Sequence, residues 1–137
     1  MGYRDDARLS LKIILLAENE ESTIALYEAM LAPRDDWRMV VARTGDEAIE
    51  LAGREAPDLA LVDIEMPTMD GIEVCRRLKA NPDTAAVPVI VVTAFAQQAN
   101  RQAAAEAGAD DFIAKPFSTT ELTELVERTL AGRDVIP

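Results

Sequence analysis

The chain has 137 residues, room for one domain, and its 49% hydrophobic content can build a full core without disulfide or metal staples. A net charge of −11, from 25 acidic against 14 basic side chains, offers no basic patch for nucleic-acid phosphates, and no run nears the ~20 apolar residues of a membrane span. Histidine is absent and Cys75 is the single cysteine, which excludes Ser-His and Cys-His catalysis, His-ligated metals, a phosphohistidine on this chain and an internal disulfide.

Residues 1–10 are polar, lack the apolar stretch of a signal peptide and read as an N-terminal tail of a cytoplasmic protein. Lys12–Ala17 (KIILLA) is the first strand candidate, followed by a helix with Ile24, Tyr27 and Leu31 on one face. Arg38–Ala42 (RMVVA) is the second strand, with Trp37 placed to cover that edge. Thr44-Gly45-Asp46-Glu47 fits the capping box, in which the first side chain and the Glu satisfy orphan N–H groups, and starts the second helix. Asp58–Asp63 (DLALVD) is the third strand. Asp70-Gly71-Ile72-Glu73 opens a helix with Asp as the cap, and Val74 and Leu78 mark its buried face; Cys75, Met66 and Met69 read as packing residues.

Val87–Thr93 (VPVIVVT) is the fourth strand. The helix after it, about Gln97 to Ala107, has an almost all-alanine core face; it forms readily but buries little area, so it is held weakly and can shift at low cost. Gly108 stops it. Asp111–Ala114 (DFIA) is the short fifth strand. Ser118-Thr119-Thr120-Glu121 is a second capping box, leading a helix whose apolar face is Leu122, Leu125, Val126 and Leu130. Residues 132–137 read as a C-terminal tail, leaving 11–131 as the domain. The stronger strands are apolar throughout, as in parallel strands covered on both faces. Five βα units imply one α/β doubly wound domain, a parallel sheet with helices on both faces and ligands bound beyond the carboxyl ends of the strands.

Those ends carry Glu18 and Asn19, then Asp63, Thr93 and Lys115. Singly, each has an ordinary explanation: a helix cap or turn for Asp63, a β-former for Thr93, a surface lysine for Lys115. Jointly, polar residues after four apolar strands on the expected face point to one pocket.

The segments that carry these residues resemble response-regulator receiver domains of two-component signalling. DLALVDIEMPTMDGIEVCRRLK (Asp58–Lys79) is similar to the phosphoacceptor region, VVTAFA (Val91–Ala96) to the strand-four segment, DFIAKPF (Asp111–Phe117) to the Lys-Pro segment, and KIILLAENE (Lys12–Glu20) to the first strand with its acidic pair. The similarity covers about residues 11–131 and implies the strand order 2-1-3-4-5. It also implies that Asp63 takes a phosphoryl group from a phosphohistidine of a sensor histidine kinase or histidine phosphotransfer protein. Mg2+ is held by Glu18, Asp63 and the backbone carbonyl of Glu65; Thr93 and Lys115 bind the phosphoryl oxygens; Phe112 is the aromatic switch; and the Lys115–Pro116 bond is cis. The helix 4–strand 5–helix 5 face then controls a protein output target, with no direct contact to nucleic acid or membrane. Glu65 and Phe95, near the expected water path, influence the phosphorylated lifetime.

One departure stands out. Asn19 occupies the position of the usual second acid, so Mg2+ ligation there is weak or through water, and slower phosphorylation is expected. Two rivals follow: a degenerate receiver that is a phosphorylation-independent interaction module, and a small aspartyl-phosphate phosphatase. The second wants Asp-x-Asp after the first strand, whereas this chain has Asp63-Ile64-Glu65 after the third and no room for a cap.

Overall fold

A computed structural model describes residues 11–134. Its elements run β1 (Lys12–Ala17), α1 (Glu21–Leu31), β2 (Trp37–Ala42), α2 (Gly45–Glu55), β3 (Leu59–Asp63), α3 (Gly71–Ala80), β4 (Val89–Thr93), α4 (Gln98–Glu106), β5 (Asp111–Ala114) and α5 (Thr119–Asp134). The five strands are all parallel, in the order β2-β1-β3-β4-β5.

Strand side chains alternate between the two faces of the sheet. Leu15, Ala17, Ala60, Val62, Val89 and Val91 meet α2, α3 and α4 in one core. Ile14, Leu16, Leu59, Leu61 and Ile90 meet α1 and α5 in the other. Both faces of β3 and β4 are fully buried, which is why these segments are apolar without alternation.

Two strands start later than their apolar runs suggest. Pro88 has no N–H to donate, so β4 begins at Val89, although the Pro88 carbonyl still accepts from the Ala60 N–H at 2.9 Å. Asp58 lies before β3 and accepts the Ile13 N–H on its side chain at 2.8 Å. β2 starts one residue early, at Trp37, over which the Arg34 guanidinium stacks at 4.0 Å. α5 continues through Asp134, so part of the stretch expected as a C-terminal tail is helical; the expected tail at 1–10 lies outside the described residues.

The caps follow the sequence pattern with one difference. Ser118 and Glu121 exchange both hydrogen bonds of a capping box, at 2.9 and 3.0 Å. Thr44 accepts from the Glu47 N–H at 3.1 Å, but the Glu47 carboxylate reaches one residue further back, to the Arg43 N–H at 2.6 Å. Within α4 only Ala104 is buried, joined by Ala107 at its C-cap. The helix ends in a Schellman arrangement: Ala109 N–H bonds Ala104 O and Gly108 N–H bonds Ala105 O, both at 3.0 Å, with Gly108 at φ 96°.

Candidate functional site

Parallel register brings the polar strand ends together. Ala17 stands opposite Val62, Asp63 opposite Val92, and Thr93 opposite Ala114. Glu18, Asp63, Thr93 and Lys115 therefore leave four neighbouring strands at one edge. Main-chain bonds continue past the strands, Ile64 N–H to Val92 O at 2.9 Å and Lys115 N–H to Thr93 O at 2.8 Å, so the departing loops keep strand-like positions.

The central contact is an ion pair. Lys115 Nζ lies 2.5 Å from Asp63 Oδ2 and 3.8 Å from Glu18 Oε1. Both carboxylates are nearly inaccessible, Glu18 at 2% and Asp63 at 3%. Asp63 Oδ1 accepts the Glu65 N–H at 2.7 Å, and Glu18 Oε2 accepts the Glu20 N–H at 3.0 Å. Glu18 Oε1 has no hydrogen-bond partner, one of two such buried side-chain atoms among the described residues; the other is the Tyr27 hydroxyl.

Two buried carboxylates beside one ammonium leave an excess negative charge, and the pair resolves it with a proton. Burial, and then the neighbouring Asp63 carboxylate, push Glu18 up to about 7. Burial also opposes ionisation of Asp63, but the adjacent Glu18 and the bonds from Lys115 and the Glu65 N–H outweigh it and hold Asp63 below the usual carboxylate range. Burial works against the Lys115 charge, and its bond to Asp63 more than restores it, so Lys115 is raised.

A stability prediction follows. Glu18 keeps its proton in the folded chain but loses it from about 4.5 when unfolded, so its contribution is complete at low pH and drains away as pH rises to about 7. Asp63, shifted the other way, loses its contribution only in acid. Without divalent cations, stability should fall by roughly 2 kcal/mol between about pH 5 and about pH 8. Urea titrations measure this; a slope that survives in Glu18→Gln would assign it elsewhere.

The backbone around Asp63 is held by close packing. A Cβ on Gly71 would lie 2.3 Å from the Asp63 carbonyl oxygen and 2.9 Å from Ile64 Cα, so α3 reaches the end of β3 only because residue 71 is glycine. The Gly71 N–H bonds Ile64 O at 3.1 Å, and Asp70 caps α3 by accepting the Glu73 N–H at 2.9 Å.

Thr93 is fully buried, but its hydroxyl goes neither to Asp63 nor to Lys115: it donates to Glu65 Oε2 and accepts from the Phe95 N–H at 2.9 Å. Glu65 Oε1 accepts the Ala94 N–H at 3.2 Å. Phe112 stands apart from these groups, at the register of Val91, half-buried against the α2–α4 core with the Arg101 guanidinium 4.6 Å above its ring. Asn19 follows Glu18, half-buried. The Lys115–Pro116 bond is cis.

The sequence resemblance points to Glu65 only for its main-chain carbonyl and an influence on lifetime, and carries no sign of the bridge its side chain makes to Thr93 and Ala94. Nor does it show the contact of Gly71, for which the Asp70-Gly71 pair is the available signal.

The donors suit Mg2+. It favours one or two carboxylates completed by water, and here are two buried carboxylates with an orphaned oxygen facing excess negative charge. Among the described residues no three Asp, Glu, Cys or His side chains form a cage for a metal held by protein alone.

A family profile described as the response regulator receiver domain matches residues 14–127. The response regulator PleD of Caulobacter vibrioides is 38% identical over 109 residues, covering 80% of this chain and 24% of that protein. The alkaline phosphatase synthesis transcriptional regulatory protein PhoP of Bacillus subtilis is 34% identical over 124 residues, covering 90% of this chain and 50% of that protein. The chain thus spans between a quarter and a half of these relatives. The signal receiver domain of a signal transduction histidine kinase from Syntrophus aciditrophicus superposes with a TM-score of 0.84 at 32% identity, covering 92% of this chain and 95% of that one. The receiver domain of a sensor histidine kinase from Pseudomonas aeruginosa, described with a magnesium ion coordinated in its active site cleft, gives 0.81 at 32% identity over 88% and 98%.

Proposed function

The chain belongs to the response regulator receiver domain family, and from that premise we propose that it is a phosphoacceptor switch in which Asp63 receives a phosphoryl group from a phosphohistidine of a sensor histidine kinase or histidine phosphotransfer protein. The observation that carries this reading is the buried Asp63 carboxylate, 2.5 Å from the Lys115 ammonium and beside a Glu18 oxygen with no hydrogen-bond partner.

Asp63 attacks the phosphorus as the bond to the donor nitrogen breaks; the nitrogen leaves with the electron pair and takes up a proton. Little bond chemistry falls to the protein, whose task is to position the group and offset its charge. Lys115 holds Asp63 from one side and pairs with the incoming oxyanion. Glu18 and Asp63, with the Glu65 carbonyl and Asn19 directly or through water, would hold Mg2+, which would supply positive charge to offset the phosphoryl group. Thr93 offers a neutral donor from the end of β4. Each chain takes one phosphoryl group and turns over no free substrate.

Output runs through α4, β5 and α5 to a protein partner. α4 is tied to the core by Ala104 and Ala107 alone among its buried residues, so it shifts at low cost. No helix of the described residues is long and apolar enough to cross a membrane, and we place the domain in the cytoplasm, where it meets its donor.

The test is incubation with Mg2+ and phosphoramidate, followed by intact mass. The wild type gains one phosphoryl group, and Asp63→Asn, with no carboxylate to attack phosphorus, gains none. Labelling that persists in Asp63→Asn overturns the assignment, and a wild type that takes no label under any Mg2+ concentration is an interaction module instead. An amide ligates Mg2+ without charge, so Asn19→Asp should bind Mg2+ roughly tenfold more tightly by calorimetry; equal affinities would remove Asn19 from the site.

A further inference from the structure

We propose that the Glu65 carboxylate is an internal latch: in the unmodified protein it occupies the Thr93 hydroxyl and the Ala94 N–H, standing in for phosphoryl oxygens, and it opposes modification until it is displaced. This rests on Asp63 being the phosphoacceptor.

The placement begins at the backbone. The Glu65 N–H is bonded to Asp63 Oδ1 at 2.7 Å, which fixes the turn two residues past the acceptor and directs the Glu65 side chain across the same edge. Its two oxygens then take two donors where β4 passes into the loop before α4, Thr93 Oγ1 and Ala94 N at 3.2 Å. A threonine hydroxyl has a single proton to give. The other acceptor within reach of Thr93 is the Phe95 carbonyl at 3.5 Å, a marginal distance, so the proton is committed to Glu65.

Carboxylate and phosphoryl group present the same face to those donors, paired anionic oxygens, and they carry the same sign. Both cannot stay, because like charges this close repel. The sides are also unequal in mobility: Glu65 is exposed, whereas Thr93 is fully buried. Glu65 can swing into water and be solvated there; Thr93 can only turn within the core.

Release bears on the whole loop. Asn100 Nδ2 donates to Phe95 O at 2.6 Å, Arg101 Nε donates to Ala96 O at 3.3 Å, and the Arg101 guanidinium lies over Phe112. The latch therefore sits at one end of a continuous chain of contacts from Asp63 to α4 and β5.

The experiment uses Glu65→Ala, which removes the latch, and Glu65→Asp, which keeps the charge but shortens the arm by one methylene. In the unmodified proteins, amide exchange at Ala94 should speed up about tenfold in both. With Mg2+ present, beryllium fluoride should bind about tenfold more tightly to Glu65→Ala, since a competitor for the donors is gone, and to a smaller degree to Glu65→Asp. A merely structural Glu65 predicts weaker binding, not tighter. Unchanged Ala94 exchange in Glu65→Ala, or unchanged or weakened beryllium fluoride binding, overturns the latch. A wild type that binds no beryllium fluoride defeats instead the assignment of Asp63 as phosphoacceptor, and Ala94 exchange alone then decides whether the contact exists.

Discussion

Lys115→Met should lower the rate of phosphoryl transfer to Asp63 by about 100-fold or more, the cost of removing one preorganised donor to a developing oxyanion, and should destabilise the fold as well. Lys115 is the cation that reaches both carboxylates, at 2.5 Å from Asp63 and 3.8 Å from Glu18. Methionine keeps an unbranched side chain one atom shorter and discards the charge. The remaining pair is then two buried acids with no cation beside them. Breaking a buried pair costs about 3–5 kcal/mol; Lys115 is 28% exposed, so part of its contribution is screened and about 2 kcal/mol is expected. The sign with pH is fixed too. Without Lys115 the folded site holds its protons more tightly than before, so the penalty grows as pH rises from about 5 to about 8. Intact-mass labelling and urea titration at both pH values measure the two effects. A Lys115→Met chain that labels at the wild-type rate would remove the lysine from the chemistry.

The second large effect belongs to a residue with no functional group. Gly71→Ala places a methyl 2.3 Å from the Asp63 carbonyl oxygen, 2.7 Å from its carbon and 2.9 Å from Ile64 Cα. All three obstacles are main chain, so no rotamer relieves them: α3 must retreat from the sheet or the end of β3 must bend. Overpacking costs about 1–3 kcal/mol, and rigid backbone on both sides puts this substitution at the upper end, about 3 kcal/mol. The acceptor moves with its backbone, and a misplacement of about 1 Å costs on the order of 100-fold in rate. Gly53→Ala supplies the contrast. Position 53 lies inside α2 with nothing within 4 Å of a new Cβ, so the same substitution there should stabilise by about 0.5–1 kcal/mol and leave labelling unchanged. Equal outcomes at the two positions would refute the close-approach argument.

Much of this protein is determined within short stretches of chain. Uniformly apolar runs mark β3 and β4 as buried on both faces, because a strand between two helical layers has no solvent side on which to place polar groups. Capping residues mark where α2, α3 and α5 begin, since a side-chain oxygen must meet N–H groups that have no helical partner. The identities at the strand ends follow as well, because in a doubly wound sheet only those positions escape the core while facing one another. Tertiary structure alone decided what those side chains do once there. That Lys115 bridges to Asp63, that Glu18 keeps an oxygen unpartnered, and that Glu65 spends its carboxylate on Thr93 and Ala94 depend on rotamers selected across four strands. Gly71 belongs with them, since its necessity comes from the Asp63 carbonyl and not from its own helix. Periodicity and capping act over a few neighbouring residues, where sequence is sufficient; hydrogen-bond partners and excluded volume arise between segments that meet only when the sheet has formed.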